Sequence, residues 1–146
     1  MLRPLELFAT TGDAFVRVGA HTRLQGSGPQ CLALDGDTVY IGCRGGGLKR
    51  SADGGESFED LSLPEPDVFS VAVSAADGAV YAGTEPSRLF RSRDGGESWE
   101  ELVALQAIPS RADWSFRPGR GLRMCAGSHR ARTIARWCWW ESSWVG

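Results

Sequence analysis

The sequence predicts an all-β chain built from repeated four-stranded antiparallel units. Three observations predict it. Glycine supplies 19 of 146 residues, well above its ordinary share of about 7%, and glycine is costly inside helices but useful in tight turns. One segment recurs at a register of 41 residues, from Asp53 to Asp94. Within each copy, short apolar runs alternate with Gly-, Asp- and Ser-rich turn signals.

The repeat is read first because it fixes the rest. Leu48-Lys49-Arg50-Ser51-Ala52-Asp53-Gly54-Gly55-Glu56-Ser57-Phe58 matches Leu89-Phe90-Arg91-Ser92-Arg93-Asp94-Gly95-Gly96-Glu97-Ser98-Trp99. Upstream, Val39-Tyr40-Ile41-Gly42 matches Val80-Tyr81-Ala82-Gly83, and downstream Glu59-Asp60-Leu61 matches Glu100-Glu101-Leu102. Further upstream Cys31-Leu32-Ala33-Leu34 matches Ser70-Val71-Ala72-Val73 at a register of 39. A two-residue length change therefore falls in the turn between, where a hairpin repeat tolerates it.

Each copy reads as four strands. In the first they are roughly Gln30–Leu34, Thr38–Gly42, Gly47–Ser51 and Ser57–Leu61; in the second, Val68–Ser74, Ala79–Thr84, Arg88–Ser92 and Ser98–Val103. Four strands in about 40 residues is the size of a propeller blade. The segments 51–58 and 92–99 carry Ser-x-Asp-x-Gly-x-x-Phe/Trp through Ser51, Asp53, Gly55 and Phe58, and through Ser92, Asp94, Gly96 and Trp99. This pattern resembles the Asp-box, or BNR repeat, of sialidase-like β-propellers. The resemblance implies a partial β-propeller of the wider WD40-YVTN-BNR type, truncated or frameshifted, with the boxes in outer hairpins away from the central cavity.

The pattern also has a physical reading. A tight turn leaves backbone N–H groups unpaired, and a carboxylate can accept several of them. Gly55 and Gly96 are expected at positive φ, where a Cβ is penalised. Phe58 and Trp99 are expected to begin the outgoing strand and bury a ring worth about 2–3 kcal/mol. Ser51 and Ser92 can bond across the turn. The eight box residues are thus expected to be structural, with no catalytic or metal-binding residue among them, since their neighbours are Gly and Ser rather than converging acids or histidines.

The two ends differ from the middle. Leu5–Ala9 and Ala14–Val18 read as a hairpin around Thr11-Gly12-Asp13, a worn and shortened copy of the box hairpin. The expected organisation is a partial β-propeller over 1–116, with hairpin 5–18, blades 30–61 and 68–104, and the start of a next blade at 105–116. Residues 117–146 form an atypical tail of six arginines, one glutamate and four of the six tryptophans, whereas residues 1–116 hold ten basic and seventeen acidic side chains. No third box stands near residue 135, where the register would place it. Three readings of the tail stay open: a basic aromatic segment for nucleic acid or membrane, a capping element, or an out-of-frame gene end.

Function is read from what remains. A net charge of −2 gives no global attraction to nucleic acid or anionic membrane. The N-terminus shows no secretory leader and no stretch reaches the ~20 apolar residues of a membrane span, so a cytoplasmic chain is expected. The four cysteines, at 31, 43, 125 and 138, contain no C-x-x-C, and His21 and His129 have no ligand-spaced partners. Neither a disulfide nor a metal nor a cofactor is expected. Tyr40 and Tyr81 occupy equivalent strand positions and are expected in the core.

The resemblance is compatible with a non-catalytic binding or scaffold module for a small molecule, glycan or protein. A second reading is a sialidase-like or other glycoside hydrolase, which would need a placed acidic pair; Glu65, Asp67, Glu85 and Asp113 are acids without a matching pattern. A third is the basic-tail nucleic-acid or membrane binder. Exposed strand edges could support self-association. Loops entering the first strands are the expected binding face, with Arg111, Asp113 and Trp114 as candidates for a sugar-like ligand and Glu85-Pro86-Ser87-Arg88 as a second loop.

Overall fold

The structure is a computed structural model that describes residues 6–109. Three antiparallel sheets follow one another along the chain. The first holds β1 (Phe8–Thr10), β2 (Phe15–Arg17) and β3 (His21–Arg23). The second holds β4 (Pro29–Asp35), β5 (Thr38–Cys43), β6 (Leu48–Ser51) and β7 (Glu59–Leu61). The third holds β8 (Asp67–Val73), β9 (Val80–Glu85), β10 (Arg88–Ser92) and β11 (Glu100–Glu101), followed by a short 3-10 helix, Val103–Ala107. Within each sheet every strand pairs with its sequence neighbour. This up-and-down order, repeated in stacked sheets, is the architecture of a partial β-propeller.

The repeat register survives in the pairing. Tyr40 faces Arg50 across β5 and β6, and Tyr81 faces Arg91 across β9 and β10. The first strands of both four-stranded sheets carry a β-bulge at the same place, between Pro29 and Cys31 and between Val68 and Ser70. The two-residue length change lies in the first turn: Leu34 pairs with Val39, while Val73 pairs with Val80.

Alternation sends the faces of each sheet to different neighbours. Val39, Ile41 and Cys43 pack with Phe15 between the first and second sheets, joined by Phe8, Leu24 and Phe58. Cys31, Ala33, Tyr40 and Leu48 pack with Val68, Val71, Val73, Val80 and Ala82 between the second and third, joined by Leu61 and Trp99. Phe15 is the centre of the first junction, stacked on Phe8 at 5.8 Å and edge-on to Phe58 at 5.2 Å. Cys31 and Cys43 are buried and not joined in a disulfide; burial pushes the Cys43 thiol up.

Close approach is enforced by glycine where the sheets touch. A Cβ on Gly42 would overlap Cys31 Sγ and lie 2.7 Å from Val68 Cγ1 of the next sheet. Backbone bonds also cross the junctions, from Gly12 N–H to the Pro29 carbonyl at 3.1 Å and from Gly47 N–H to the Pro66 carbonyl at 2.8 Å.

The N-terminal sheet corrects the expectation of a hairpin alone. β1 and β2 pair, but β3 adds a third strand. Its pairing of Arg17 with His21 corresponds to that of Arg50 with Glu59. The position of the box turn is therefore held by Val18-Gly19-Ala20, not by Thr11-Gly12-Asp13. The polar His-Thr-Arg sequence of β3 has no apolar alternation, which is why it does not read as a strand. The fourth strands are also shorter than expected; β11 gives way to the 3-10 helix two residues after Glu101.

Candidate functional site

The repeated turn is the most chemically organised feature. In the first copy the Ser51 hydroxyl donates to Asp53 Oδ1 at 2.7 Å and accepts the Gly55 N–H at 2.8 Å. Asp53 Oδ1 also accepts the N–H groups of Glu56 and Ser57, each at 3.0 Å, and Oδ2 accepts the Ser57 hydroxyl at 2.6 Å. In the second copy Ser92 bonds Asp94 Oδ1 and Gly96 N–H, each at 2.7 Å, and Asp94 Oδ1 accepts Ser98 N–H at 2.9 Å. Gly55 stands at φ +89° and Gly96 at φ +102°, so the chain doubles back where an L side chain would be strained. Ser51 and Ser92 are buried, Phe58 and Trp99 half-buried. The two rings thus bury less area than a full core aromatic.

Donors around each carboxylate set its charge state. The side chain and backbone N–H of Ser57, then Ser51, hold Asp53 well below the ordinary carboxylate range. Ser98 and Ser92 do the same for Asp94. A depressed folded-state value means the stabilisation is complete above the unfolded value of about 4 and is lost as pH falls below it. The melting temperature of the chain, followed by circular dichroism from pH 7 to pH 2, is expected to drop below about pH 4. D53N/D94N should start lower and fall less. Parallel profiles would contradict this.

Each turn is also seated on the preceding sheet. Arg50 on β6 reaches across to the second turn, donating to the Gly95 carbonyl at 2.7 Å and to Glu97 at 2.8 Å, while its Nε bonds Glu59 at 2.7 Å. The buried Tyr40 hydroxyl donates to the same Gly95 carbonyl at 3.3 Å. At the first junction Arg17 pairs with Glu56 at 3.2 Å, and His21 places Nε2 2.8 Å from the Gly55 carbonyl and Nδ1 3.3 Å from Glu56. Arg17, Arg50 and Arg91 are thus equivalent positions. The sequence pattern missed this clasp, although Arg50/Arg91 and Glu56/Glu97 are identities lying outside the box consensus.

At the other end of the sheets lie the loops entering the first strands. There Asp67 faces Glu85 across β8 and β9. Asp67 Oδ1 accepts the Gly45 N–H of the neighbouring sheet at 2.6 Å. The Glu85–Arg88 loop contains a cis Glu85-Pro86 bond. It is braced by Glu65, which pairs with Arg88 at 3.0 Å, and by Gln106, which donates to the Ser87 carbonyl at 3.2 Å. Glu85 stands one repeat register of 41 residues from Arg44. Both are exposed, and neither side chain has a hydrogen bond or ion pair among the described residues. The scaffold thus repeats while the exposed residue at this rim changes sign. Arg111, Asp113 and Trp114 lie outside the described residues, as does the tail 117–146. Among the described residues no group of three or more His, Cys, Asp or Glu could hold a metal ion. No helix among them is long and apolar enough to cross a membrane.

No protein-family model matches the chain, and no curated protein matches it. Similar solved structures exist. YCF48 bound to D1 peptide aligns with a TM-score of 0.46 and 16% identity, over 60% of this chain and 30% of that chain. YCF48 from Cyanidioschyzon merolae aligns with a TM-score of 0.49 and 18% identity, over 78% and 40%. This chain spans less than half the length of either.

Proposed function

We propose that the chain is a segment of an Asp-box β-propeller acting as a non-catalytic binding or scaffold module, with its rim loops as the binding surface. The observation that carries this is the division of labour between the two ends of the sheets. At the repeated turns, Asp53 and Asp94 are saturated by donors of their own turns, and Arg17 and Arg50 by the following sheet. Those groups are committed to holding the sheets together. At the rim, the Arg44 and Glu85 side chains are exposed, without a hydrogen bond or ion pair among the described residues, and divergent between otherwise matching repeats. Such a place suits recognition, because it changes without disturbing the scaffold. Arg111, Asp113 and Trp114 are further candidates for the same surface.

The test has two parts. The full chain, immobilised, is screened with a random peptide library and a glycan array, and selected ligands are titrated on R44A/E85A. Binding weakened at least about tenfold, with an unchanged melt, fits a surface on which the lost charged contacts together cost on the order of 1.4 kcal/mol or more. The chain is also assayed with fluorogenic sialosides and neutral glycosides. Turnover that disappears on substituting Asp67 or Glu85, the acids facing each other across β8 and β9, would overturn the reading.

A further inference from the structure

We propose that Asp35-Gly36 is a modification site, the step at which the folded chain spontaneously converts an aspartate to isoaspartate. The inference starts from a choice that sequence alone does not make. Four Asp-Gly steps occur, at 35–36, 53–54, 77–78 and 94–95. In each, a glycine without a Cβ leaves its nitrogen open to the neighbouring carboxyl. The reaction needs a carboxyl that can be protonated and can turn onto that nitrogen, and an amide N–H that is not held elsewhere. The surroundings of each step decide which one meets these conditions.

Three of the four do not. Asp53 and Asp94 accept donors on both oxygens, from Ser51, Glu56 and Ser57 in the first turn and from Ser92 and Ser98 in the second. The same donors keep both carboxyls ionised far below the ordinary range. The Gly54 N–H is held by the Asp37 carbonyl at 3.0 Å, and Gly95 is gripped at its carbonyl by Arg50 and Tyr40. Asp77 is exposed, but Ser74 and the Ala79 N–H lower its pKa, the latter at 3.3 Å, and the Gly78 N–H donates to the Ser74 carbonyl at 2.9 Å. Asp35 differs. It pairs with Thr38, so Gly36 and Asp37 form the tip of the β4–β5 hairpin, and Asp35, Gly36 and Asp37 are all exposed. The Asp35 side chain has no hydrogen bond or ion pair among the described residues. A Cβ on Gly36 would meet nothing within 4 Å, so the space around this step is open. The longer turn of the third sheet supplies the groups that hold Asp77; a two-residue tip has no room for them.

The step balances with water alone. The Gly36 nitrogen bonds to Asp35 Cγ and gives up its proton; a Cγ–O bond breaks and that oxygen leaves as water, closing a five-membered succinimide. Water then adds to one of the two imide carbonyls. Cleavage of the bond between nitrogen and Cγ returns aspartate. Cleavage of the bond between nitrogen and the α-carbonyl carbon leaves a backbone that runs through Cβ and Cγ, one methylene longer. Mass is unchanged and one carboxylate remains. The extra methylene falls beside Asp37, whose carbonyl seats the Gly54 N–H of the first repeated turn. Modification at the hairpin tip therefore loosens that turn.

The full chain is held at neutral pH and physiological temperature for several weeks, beside a sample kept unfolded in urea. Both are digested under mildly acidic conditions, and isoaspartate is located by the backbone fragments it gives in electron-transfer mass spectrometry. In urea the four steps should react at similar rates. In the folded chain Asp35 should react at least about tenfold faster than the other three. D35E, whose longer side chain does not close the five-membered ring, should stay unmodified at this step. The isomerised fraction, separated by chromatography, should exchange its Gly54 amide hydrogen faster than fresh chain or aged D35E. Equal rates at the four steps in the folded chain, a faster rate at one of the other three, or no isoaspartate at Asp35 when the urea sample has formed it would overturn the proposal. Unchanged exchange at Gly54 in the isomerised fraction would overturn its link to the repeated turn.

Discussion

Gly55→Ala is expected to destabilise the chain by about 2–6 kcal/mol, the sum of a strained backbone and an overfilled junction. Both parts are visible in the structure. Gly55 sits at φ +89°, outside the range an alanine adopts without strain. A Cβ there would stand 2.6 and 2.7 Å from the Cε1 and Cζ of Phe15. Phe15 is fully buried between Phe8 and Phe58 and cannot swing away. Gly96→Ala has a similar backbone, at φ +102°, but meets the Cδ1 of a half-buried leucine, Leu61, at 2.5 Å. A leucine methyl gives way more easily than a locked ring, so Gly96→Ala should cost less. Urea denaturation of the two variants checks the order. A Gly55→Ala chain within 1 kcal/mol of wild type would contradict the close seat of the turn on Phe15, on the scale of about 1 kcal/mol for an ordinary substitution.

Phe15→Ala is expected to cost about 3–5 kcal/mol, as for other large-to-small changes in a filled core. It removes the ring that joins the three-stranded sheet to the next one, where Val39, Ile41, Cys43 and Phe58 converge. The two substitutions should also be coupled. Once the ring is gone, the methyl group that Gly55→Ala introduces has nothing to overlap, so the double variant should be more stable than the sum of the singles predicts. The same cycle distinguishes a packing clash from pure backbone strain, because strain at φ +89° would survive the loss of the ring.

How the sequence encodes this architecture depends on which link is local. The four-stranded sheets are legible because their turn signals and their alternation repeat: Arg88–Ser92 is the same in the sequence reading and in the structure, and β5 differs from its expected span by a single residue. The bonds of the repeated turn are legible too, since Ser51, Asp53 and Gly55 satisfy one another within a few residues. What joins sheet to sheet is not. The Arg50 clasp spans 45 residues to Gly95, and nothing near Arg50 in sequence announces its partner. Only its recurrence as Arg91, beside the recurring Glu56 and Glu97, carries the signal. β3 is hidden for the same reason: His21 and Arg23 serve the neighbouring turn through Gly55 and Glu56, so their polarity is tertiary in origin. The candidate rim was legible only in part. The Glu85–Arg88 loop is where the sequence points, whereas Arg44 becomes a candidate only when its equivalence with Glu85 is joined to its exposed position at the rim.

The central claim is that each repeated turn sits on the sheet before it, so that the turn residues hold successive blades together. Proton–proton Overhauser contacts test it directly. The account predicts cross-peaks between the Gly55 Hα protons and the Phe15 ring, and between the Gly96 Hα protons and the Leu61 methyls, because a substituent in those directions would fall 2.6 and 2.5 Å from those side chains. A folded chain in which both pairs of cross-peaks are absent would contradict it.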